Sequence, residues 1–369
     1  MKRFFVLILM TALFGCTPRG PLAHPCKSSP ESVATVYVVT PHGFSINLPH
    51  RNYSNFYKGA THVHTSEGFY SYPDKNVGTI ADVTLMYTTL GYTFVAITNH
   101  DEVYDSNDTN LTGCNFEGCI LRFGVDCDCE CKAQICLWGQ EATVKYSSDA
   151  WHQGEYWRGS CATGMHVKNH PYDKEIGNLS HLEDPTPGWG YYKGMEISST
   201  KKYTPFWDWA LSVHNSNDGH LPWGFASDDC HTCVNSGINR GWIVVNSNST
   251  IPNYDDIMYN VKRGNFFAVS RSVGVEAAHP GSPYYGPIPE ITLVGSVLNV
   301  ALPSTCSKVS FIGVDGEGTP GSLLGSAYNT NAATYSITGT EKYVRVEIEQ
   351  TVEGDTYIVY SQPMQVLVN

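Results

Sequence analysis

Histidines and carboxylates stand at short, regular spacings in several parts of the chain. The stretch THVHTSEG contains His62 and His64, which are separated by one residue. Side chains alternate between the two faces of a β-strand, so both imidazoles would project on the same side and could share a partner. A second pair with this spacing, Asp229 and His231, occurs in SDDCHT. Imidazole and carboxylate groups in such clusters are typical ligands of Zn²⁺, Mn²⁺ or Fe²⁺.

Further residues of the same chemical type follow other apolar segments. His100 comes directly after YTFVAIT, Glu141 lies in GQEA, and His166 and His170 lie in MHVKNHP. A lone histidine is more often structural than a ligand, but five metal-type residues at equivalent strand ends favour metal binding, namely His62, His64, His100, Asp229 and His231. A carboxylate can bridge two ions, which imidazole normally does not. One glutamate among many histidines therefore indicates a multinuclear site.

The segments that would position these residues alternate between strand and helix. Helices are predicted in three places, the first capped near Thr79 and ended by Gly91, the others in PFWDWALSVHN and YDDIMYNVKRG. WDWA in the second is expected to be buried rather than to bind a ligand. Strands are predicted at KGATHVH, YTFVAIT, LWGQEATV, MHVKNH, KGMEISS, WGFAS, GWIVVNS and FFAVS. Repeated strand and helix units predict a parallel sheet, either open or closed into a barrel; in a barrel the carboxyl ends of the strands share one mouth.

The pattern changes beyond about Pro280. Short β-like runs such as KVSFIGVDG and KYVRVEIEQ are separated by Gly, Asn, Asp and Pro, without helical periodicity. This part predicts a compact antiparallel β-sandwich over residues 280–369.

The first residues predict a targeting segment. MKR supplies positive charge, and the apolar run from Phe4 to Gly15 is too short to span a bilayer comfortably. LFGC resembles a bacterial lipobox with Cys16 as the lipidated residue. Residues 1–16 are thus expected to be a lipoprotein signal peptide and residues 17–47 a tether and lead-in. The protein would be exported and anchored by lipid at the bacterial cell envelope, in the periplasm or at the cell surface, with plain secretion as the alternative.

The charge of the chain limits the kinds of partner that it is expected to bind. The formal net charge is −12, and no Lys/Arg run follows the signal, so nucleic acid is not an expected partner. A phosphorylated small molecule is compatible with the negative net charge, because bound metal ions can supply positive charge locally.

Of the 12 cysteines, six lie between Cys114 and Cys136. Disulfides are the default in an exported chain, with a thiolate metal cluster as the alternative. Cys230 and Cys233 flank His231, and there a disulfide is favoured over a redox centre.

The motifs THVHTSEG, AITNHDE, GQEA, NHP and SDDCHT occur in the order found in one known family. In this combination the chain, over roughly residues 50–369, resembles the PHP-domain (polymerase and histidinol phosphatase) metal-dependent phosphoesterases, in particular exported members with an added β domain. The resemblance implies an α/β fold, a distorted (β/α)7 PHP-type barrel over residues 48–279, followed by the small antiparallel β-sandwich. It also implies two or three divalent transition-metal ions per chain, Zn, Mn or Fe.

The resemblance also implies a ligand set. His62, His64 and Asp229 would ligate one ion, and Glu141 would bridge it to a second. His166 or His170 would complete the second ion, while Glu67, His100 and His231 would hold the third.

The chain departs from the family pattern in several places. The match of Glu67 to the family motif assumes a deletion after HxHT; the alternative is an ordinary glutamate in a loop. Asn99 stands where Asp is usual before His100. His166 and His170 are unusually close together, so His152 is a reserve candidate. Glu196, in GMEIS, is a second G-x-E for which a structural role at a strand end is expected.

This ligand set predicts an enzyme, a hydrolase that cleaves a phosphoester with a metal-activated water. Glu141, Asp229 and His231 are the predicted catalytic residues. Lys168, Arg240 and Arg271 lie near predicted strand ends and could contact the substrate phosphate or be ordinary surface cations. Two alternatives remain open: a metal-dependent hydrolase of an amide or a lactone, and a non-catalytic binding module at the cell surface.

Overall fold

Strands dominate the computed structural model of the chain, which describes residues 37–66, 78–98, 120–126, 135–138, 165–169, 171, 192–199, 202–213, 221–231, 238–251, 254–272 and 286–368. In the first half of the chain they are β1 (Tyr37–Val39), β2 (Phe44–Asn47), β3 (Asn55–Val63), β4 (Phe94–Ile97), β5 (Ile120–Asp126), β6 (Ile135–Trp138) and β7 (Met165–Lys168). The next four are β8 (Tyr192–Ser198), β9 (Trp223–Ala226), β10 (Gly241–Ser247) and β11 (Phe266–Arg271). The last six are β12 (Glu290–Val294), β13 (Val297–Asp315), β14 (Ser322–Ser336), β15 (Glu341–Val352), β16 (Asp355–Tyr360) and β17 (Met364–Val368).

The described residues contain three helices, α1 (Ile80–Thr89), α2 (Thr204–Val213) and α3 (Tyr254–Lys262). α1 begins with a capping box: the Thr79 hydroxyl accepts from the N–H of Asp82 at 3.2 Å, and the Asp82 carboxylate accepts from the N–H of Thr79 at 3.0 Å. Each cap satisfies a backbone donor that the first helical turn leaves without a partner. Gly91, with φ +78°, follows the helix. The predicted bounds of this helix are confirmed.

The pairing directions of the strands exclude the predicted barrel. The pairs β3–β4, β4–β5, β7–β8 and β8–β9 are parallel. In contrast, β5–β6 and β6–β7 are antiparallel, and β10 is antiparallel to both β3 and β11. A (β/α)n barrel needs parallel neighbours and a helix after each strand, whereas the described residues hold three helices for 17 strands. The prediction of a distorted (β/α)7 PHP-type barrel is wrong.

The error has a physical cause. An apolar run predicts a strand but carries no information on the direction of its neighbour. As expected, a strand forms at GWIVVNS, a helix at YDDIMYNVKRG and a strand at FFAVS. The two strands, β10 and β11, nevertheless pair antiparallel, with Val245 opposite Phe266. A second reversal occurs at β5 and β6, where β5 lies in the cysteine-rich stretch for which no element was predicted.

The C-terminal strands continue the mixed sheet. All pairings among β12 to β17 are antiparallel. β16 also pairs with β11, with Ala268 opposite Tyr360, and so joins these strands to β10 and β3 by hydrogen bonds. β2 pairs with β17, and β1 pairs with β2. The last residues of the predicted tether, 37–47, therefore hold two strands.

α2 packs on the C-terminal strands through buried aromatic side chains. Trp207 is fully buried, as predicted for WDWA, and belongs to one apolar cluster with Leu211, Tyr343 and Tyr360. A hydrophobic cluster of this kind fixes where α2 and the preceding strand β8 lie relative to β15 and β16. None of the helices in the described part of the chain is long and apolar enough to cross a membrane.

Candidate metal centre

The candidate metal centre begins at the end of β3. His62 is the penultimate residue of this strand, and His64 follows it directly. The two residues are buried, 2% and 1% exposed. Their Nε2 atoms lie 3.0 Å apart. The prediction that the two imidazoles meet on one side of the chain is confirmed.

The segment that follows β9 runs beside the end of β3. Val63 and Cys230 form a parallel β-bridge. The N–H of His64 donates to the carbonyl oxygen of Cys230 at 3.3 Å, and the Thr61 hydroxyl donates to the carbonyl oxygen of Ala226 at 3.2 Å. These contacts hold residues 227–231 against the two histidines.

Asp229 is the centre of the arrangement. Its Oδ1 atom lies 3.4 Å from His62 Nε2, 3.5 Å from His64 Nε2 and 3.0 Å from His231 Nε2. Its φ of +48° is in the left-handed region, which few side chains other than Asn and Asp adopt readily. Burial alone would raise its pKa, but attraction to the protonated form of His62 and hydrogen bonds from His231 and His64 hold the pKa of Asp229 well below its usual value.

His62, His64 and Asp229 could together hold a metal ion, since one ligand atom from each lies within 4.8 Å of the others. Zn²⁺ bonds to imidazole and carboxylate are about 2.0–2.2 Å long, so tetrahedral ligands of one ion lie about 3.4 Å apart. The observed separations are 3.0, 3.4 and 3.5 Å. The donor types and their spacing therefore fit a divalent cation.

His231 forms the more exposed wall of this centre. Its side chain is 40% exposed, whereas those of the two other histidines are almost fully buried. Its ring stacks on the ring of His64, with centroids 4.1 Å apart and planes 18° apart. A molecule that approaches from solvent can therefore reach this imidazole.

The carboxylate of Asp228 holds the turn formed by residues 227–231 from its buried side. Its carboxylate accepts the backbone N–H groups of Asn239, Arg240 and Gly241 at 2.9, 2.6 and 2.9 Å. The Tyr87 hydroxyl donates to it at 2.8 Å. Burial raises the pKa of Asp228, against the opposing effect of these hydrogen bonds. A carboxylate with four donors cannot easily move.

The start of β10 packs closely on the turn. A Cβ atom at position 241 would overlap the carbonyl oxygen of Ser227, so Gly241 is required by this close approach. Arg240 Nη2 donates to the carbonyl oxygen of Asp228 at 2.8 Å. Residues 239–241 thus hold the segment that carries Asp229.

A contact from Glu196 was missed at the level of sequence. Glu196 lies in β8 and is 1% exposed, and its Oε1 atom is 3.3 Å from His62 Nδ1. The same oxygen accepts a hydrogen bond from the Ser227 hydroxyl. The available signal was the G-x-E pattern, which Glu196 shares with Glu141, and the position of Glu196 between the apolar residues Met195 and Ile197.

Two of the predicted phosphate contacts are described. Arg271 is 8% exposed, and its guanidinium is paired with Asp355, with Nε donating to Oδ2 at 2.7 Å. Arg240 is half-buried beside Asp228. A role in substrate binding stays a prediction for both residues.

Several predicted residues lie outside the part of the chain that the structure describes. They are Glu67, Asn99, His100, Glu141, His152, His170 and Cys233, together with the side chains of His166 and Lys168 in β7. The expected lipoprotein signal also lies outside it.

Comparison with known proteins gives no family. No protein-family model matches the sequence, and no curated protein matches it. Among solved structures, the chain is similar to superoxide reductase (1Fe-SOR) from Giardia intestinalis, with 16% identity, a TM-score of 0.18, and coverage of 21% of this chain and 96% of that chain. A TM-score this low carries no argument on fold or function. The interpretation of the centre therefore depends on its own residues.

Proposed function

We propose that this protein is a metal-dependent hydrolase that cleaves a phosphoester of a small molecule at the centre formed by His62, His64 and Asp229. The observation that supports the proposal is the convergence of two imidazole nitrogens and one carboxylate oxygen, at 3.0 to 3.5 Å from one another, in a nearly buried position. The proposal depends on this donor set and not on a barrel.

We propose that the complete site holds two or three divalent ions, Zn²⁺, Mn²⁺ or Fe²⁺. The further ligands would come from residues predicted from the sequence, namely Glu67, His100, Glu141, His166 or His170, and His231. Imidazole and carboxylate ligands without thiolate suit these metals. Of these residues, His231 already lies against Asp229 and His64.

His62, His64 and Asp229 would hold a divalent cation here, which would supply positive charge for a phosphoryl oxygen and activate a water as nucleophile. The residues of the chain supply its position. Burial of His62 and His64 excludes competing water from the ligand nitrogens, and Asp229 adds a carboxylate whose pKa is well below its usual value. His231, whose side chain is 40% exposed, is the residue of the centre that faces an incoming substrate.

We propose that His231 transfers a proton when the site holds two ions, since it is then not required as a ligand of a third ion. Its Nε2 atom lies 3.0 Å from Asp229 Oδ1, and its side chain is 40% exposed, so a substrate that enters from solvent can reach the ring. The stacked contact with His64 fixes the plane of the ring. An imidazole held in this way can protonate the leaving alkoxide near neutral pH.

The proposed location follows from the first residues of the chain. We propose export and lipidation at Cys16, which would place the centre at the cell envelope, with a phosphorylated small molecule as substrate. Incorporation of a labelled fatty acid, abolished in Cys16→Ser, would support this location.

The activity is tested with the purified full-length chain, stripped of metal and reconstituted anaerobically with Zn²⁺, Mn²⁺ or Fe²⁺. The substrates are a panel of phosphomonoesters and phosphodiesters, together with amides and lactones. We expect turnover of at least one phosphoester, and a decrease of more than about 100-fold in kcat/KM for His64→Ala. His42→Ala removes an exposed histidine outside the centre and should retain full activity.

The panel also separates the alternatives. Turnover of amides or lactones alone would contradict phosphoester chemistry and support the other hydrolase class. Absence of turnover for every substrate and metal, with metal bound, would favour the non-catalytic binding module.

A further inference from the structure

Glu196 contacts the metal centre from the side opposite to the ligand atoms. We propose that Glu196 is a positioning residue: its carboxylate fixes the tautomer of His62, so that His62 Nε2 is the ring nitrogen offered to the metal. This inference rests on the proposed metal centre. It assigns to Glu196 a role beyond the structural role expected at the end of a strand.

The two ring nitrogens of His62 face different groups. Nδ1 lies 3.3 Å from Glu196 Oε1, while Nε2 lies 3.4 Å from Asp229 Oδ1 and 3.0 Å from the Nε2 atom of His64. An ionised carboxylate oxygen only accepts hydrogen bonds, so His62 Nδ1 donates in its contact with Glu196. A neutral imidazole that carries its hydrogen on Nδ1 has its lone pair on Nε2. That lone pair points into the candidate metal centre.

Burial makes this contact persistent. Glu196 is 1% exposed and His62 is 2% exposed, so water does not compete well for the carboxylate. A buried carboxylate without hydrogen bonds is strongly unfavourable. Separation of the pair would therefore cost more than separation of the same pair at the surface.

Ser227 holds Glu196 in place. The Ser227 hydroxyl donates to Glu196 Oε1, the same oxygen that faces His62. The backbone N–H of Ser227 donates to the carbonyl oxygen of Ser198 at 2.9 Å. The contacts from Ser227 to Glu196 and from Glu196 to His62 thus connect three segments, the turn after β9, β8 and β3.

The location of Glu196 favours a functional role. Its neighbours in β8, Met195 and Ile197, are buried and apolar, 3% and 0% exposed. An apolar side chain would pack at this position without any requirement for hydrogen bonds. Carboxylates that accept a hydrogen bond from a ligating histidine commonly fix its tautomer and raise its basicity, and their loss weakens metal binding by about 10–100-fold.

The test uses Glu196→Met, which keeps the length of the side chain and removes both oxygens, and Glu196→Gln, which keeps one acceptor oxygen. The first readout is the pair of ¹⁵N chemical shifts of the His62 ring in the metal-free full-length chain, with the signal assigned by its loss in His62→Gln. The second is the Kd for Zn²⁺ from titration calorimetry. Ser227→Ala, which keeps the Glu196 side chain but removes its hydrogen bond from the Ser227 hydroxyl, provides a second variant if Glu196→Met does not fold.

We expect a protonated Nδ1 and an unprotonated Nε2 at His62 in the wild type and in Glu196→Gln. In Glu196→Met the two shifts should average or exchange, and the Kd for Zn²⁺ should rise by about 10–100-fold. Glu196→Gln should stay within about tenfold of the wild type, and Ser227→Ala should show a smaller rise than Glu196→Met.

The outcomes separate this inference from the proposed function. Unchanged shifts and an unchanged Kd in Glu196→Met would overturn the role of Glu196 and leave the metal centre intact. An equal rise in Kd in Glu196→Gln and Glu196→Met, without a change in tautomer, would also overturn it. A wild-type protein that binds none of Zn²⁺, Mn²⁺ and Fe²⁺, but whose His62 tautomer depends on Glu196, would support the positioning role and contradict the proposed function.

Discussion

Asp228 and Asp229 are consecutive residues whose carboxylates face opposite sides of one turn. Asp228 is 1% exposed and accepts hydrogen bonds from three backbone N–H groups of the segment before β10 and from Tyr87. Asp229 Oδ1 lies 3.0 to 3.5 Å from three imidazoles instead. The first carboxylate fixes the position of the turn, and the second is available as a ligand.

Exchange of each carboxylate for an amide should therefore have different consequences. Asp228→Asn replaces one of the two acceptor oxygens with an NH2 group that faces buried donors, and we expect it to lower the free energy of unfolding by about 2–4 kcal/mol. Asp229→Asn should change this free energy by less than about 1 kcal/mol and weaken Zn²⁺ binding by more than about 100-fold. Urea denaturation and titration calorimetry measure the two effects. An Asp229→Asn protein with unchanged affinity for Zn²⁺ would contradict the assignment.

Lys58 is a buried cation behind the same turn. Its residue is 0% exposed, its Nζ donates to Asn239 Oδ1 at 2.7 Å, and it lies 4.1 and 4.3 Å from the ring centroids of Tyr92 and Trp242. Burial lowers the pKa of Lys58 from 10.5 to about 7, against the attraction of Asp228 and with a further lowering by Arg271.

This shift predicts a pH dependence of stability. Between about pH 7 and 10.5 the unfolded chain binds one more proton at Lys58 than the folded chain does, so the free energy of unfolding rises with pH in this range. The slope should reach about 1.4 kcal/mol per pH unit. Below about pH 7 both states are protonated and the contribution is constant.

The variant Lys58→Met measures the pH dependence of stability that comes from Lys58. The variant should lack this pH dependence, so the difference in unfolding free energy between Lys58→Met and the wild type should change between about pH 7 and 9.5 and stay constant below. Denaturation curves at several pH values give the difference. If it is the same at every pH, Lys58 titrates normally and the inferred burial is wrong.

The buried pair Arg345 and Asp208 connects β15 to α2. Arg345 Nε and Nη2 donate to the two carboxylate oxygens of Asp208 at 2.7 and 2.6 Å, and Nη1 donates to Glu347 at 2.7 Å. Asp208 is 4% exposed and Arg345 is 1% exposed. Removal of one partner would leave a buried charge without compensation.

Arg345→Met should therefore lower the free energy of unfolding by about 3–5 kcal/mol. The double variant Arg345→Met, Asp208→Leu should recover part of this loss, because it removes both charges. The affinity for Zn²⁺ should not change as long as the protein is folded, since the pair lies outside the metal centre. Additive effects of the two single substitutions in a double-mutant cycle would show that the pair is not coupled.

Local features of this protein could be predicted from its sequence. The capping box at Thr79 and Asp82 and the glycine after α1 depend on neighbouring residues, and the predicted helix is confirmed. The spacing of one residue in the pair His62 and His64 brought both imidazoles to one side. The meeting of this pair with Asp229 could be expected only because both follow predicted strands.

The architecture could not be predicted in the same way. Whether β10 and β11 run parallel or antiparallel depends on backbone hydrogen bonds between distant segments, to which every residue type contributes alike. The contact of Glu196 with His62 links residues 134 positions apart, and a single buried glutamate gives no indication of its partner. A parallel barrel was therefore the wrong extrapolation from strands, such as β3, β9 and β10, that the sequence does locate.

The most direct test of the central claim is the metal content of the purified full-length chain. Elemental analysis after anaerobic reconstitution with Zn²⁺, Mn²⁺ or Fe²⁺ should give at least one ion per chain in the wild type and in the control His42→Ala. The double variant His62→Ala, His64→Ala should hold at least one ion fewer. A wild-type chain without bound metal, or a double variant with the same content, would contradict the assignment of His62, His64 and Asp229 as a metal centre.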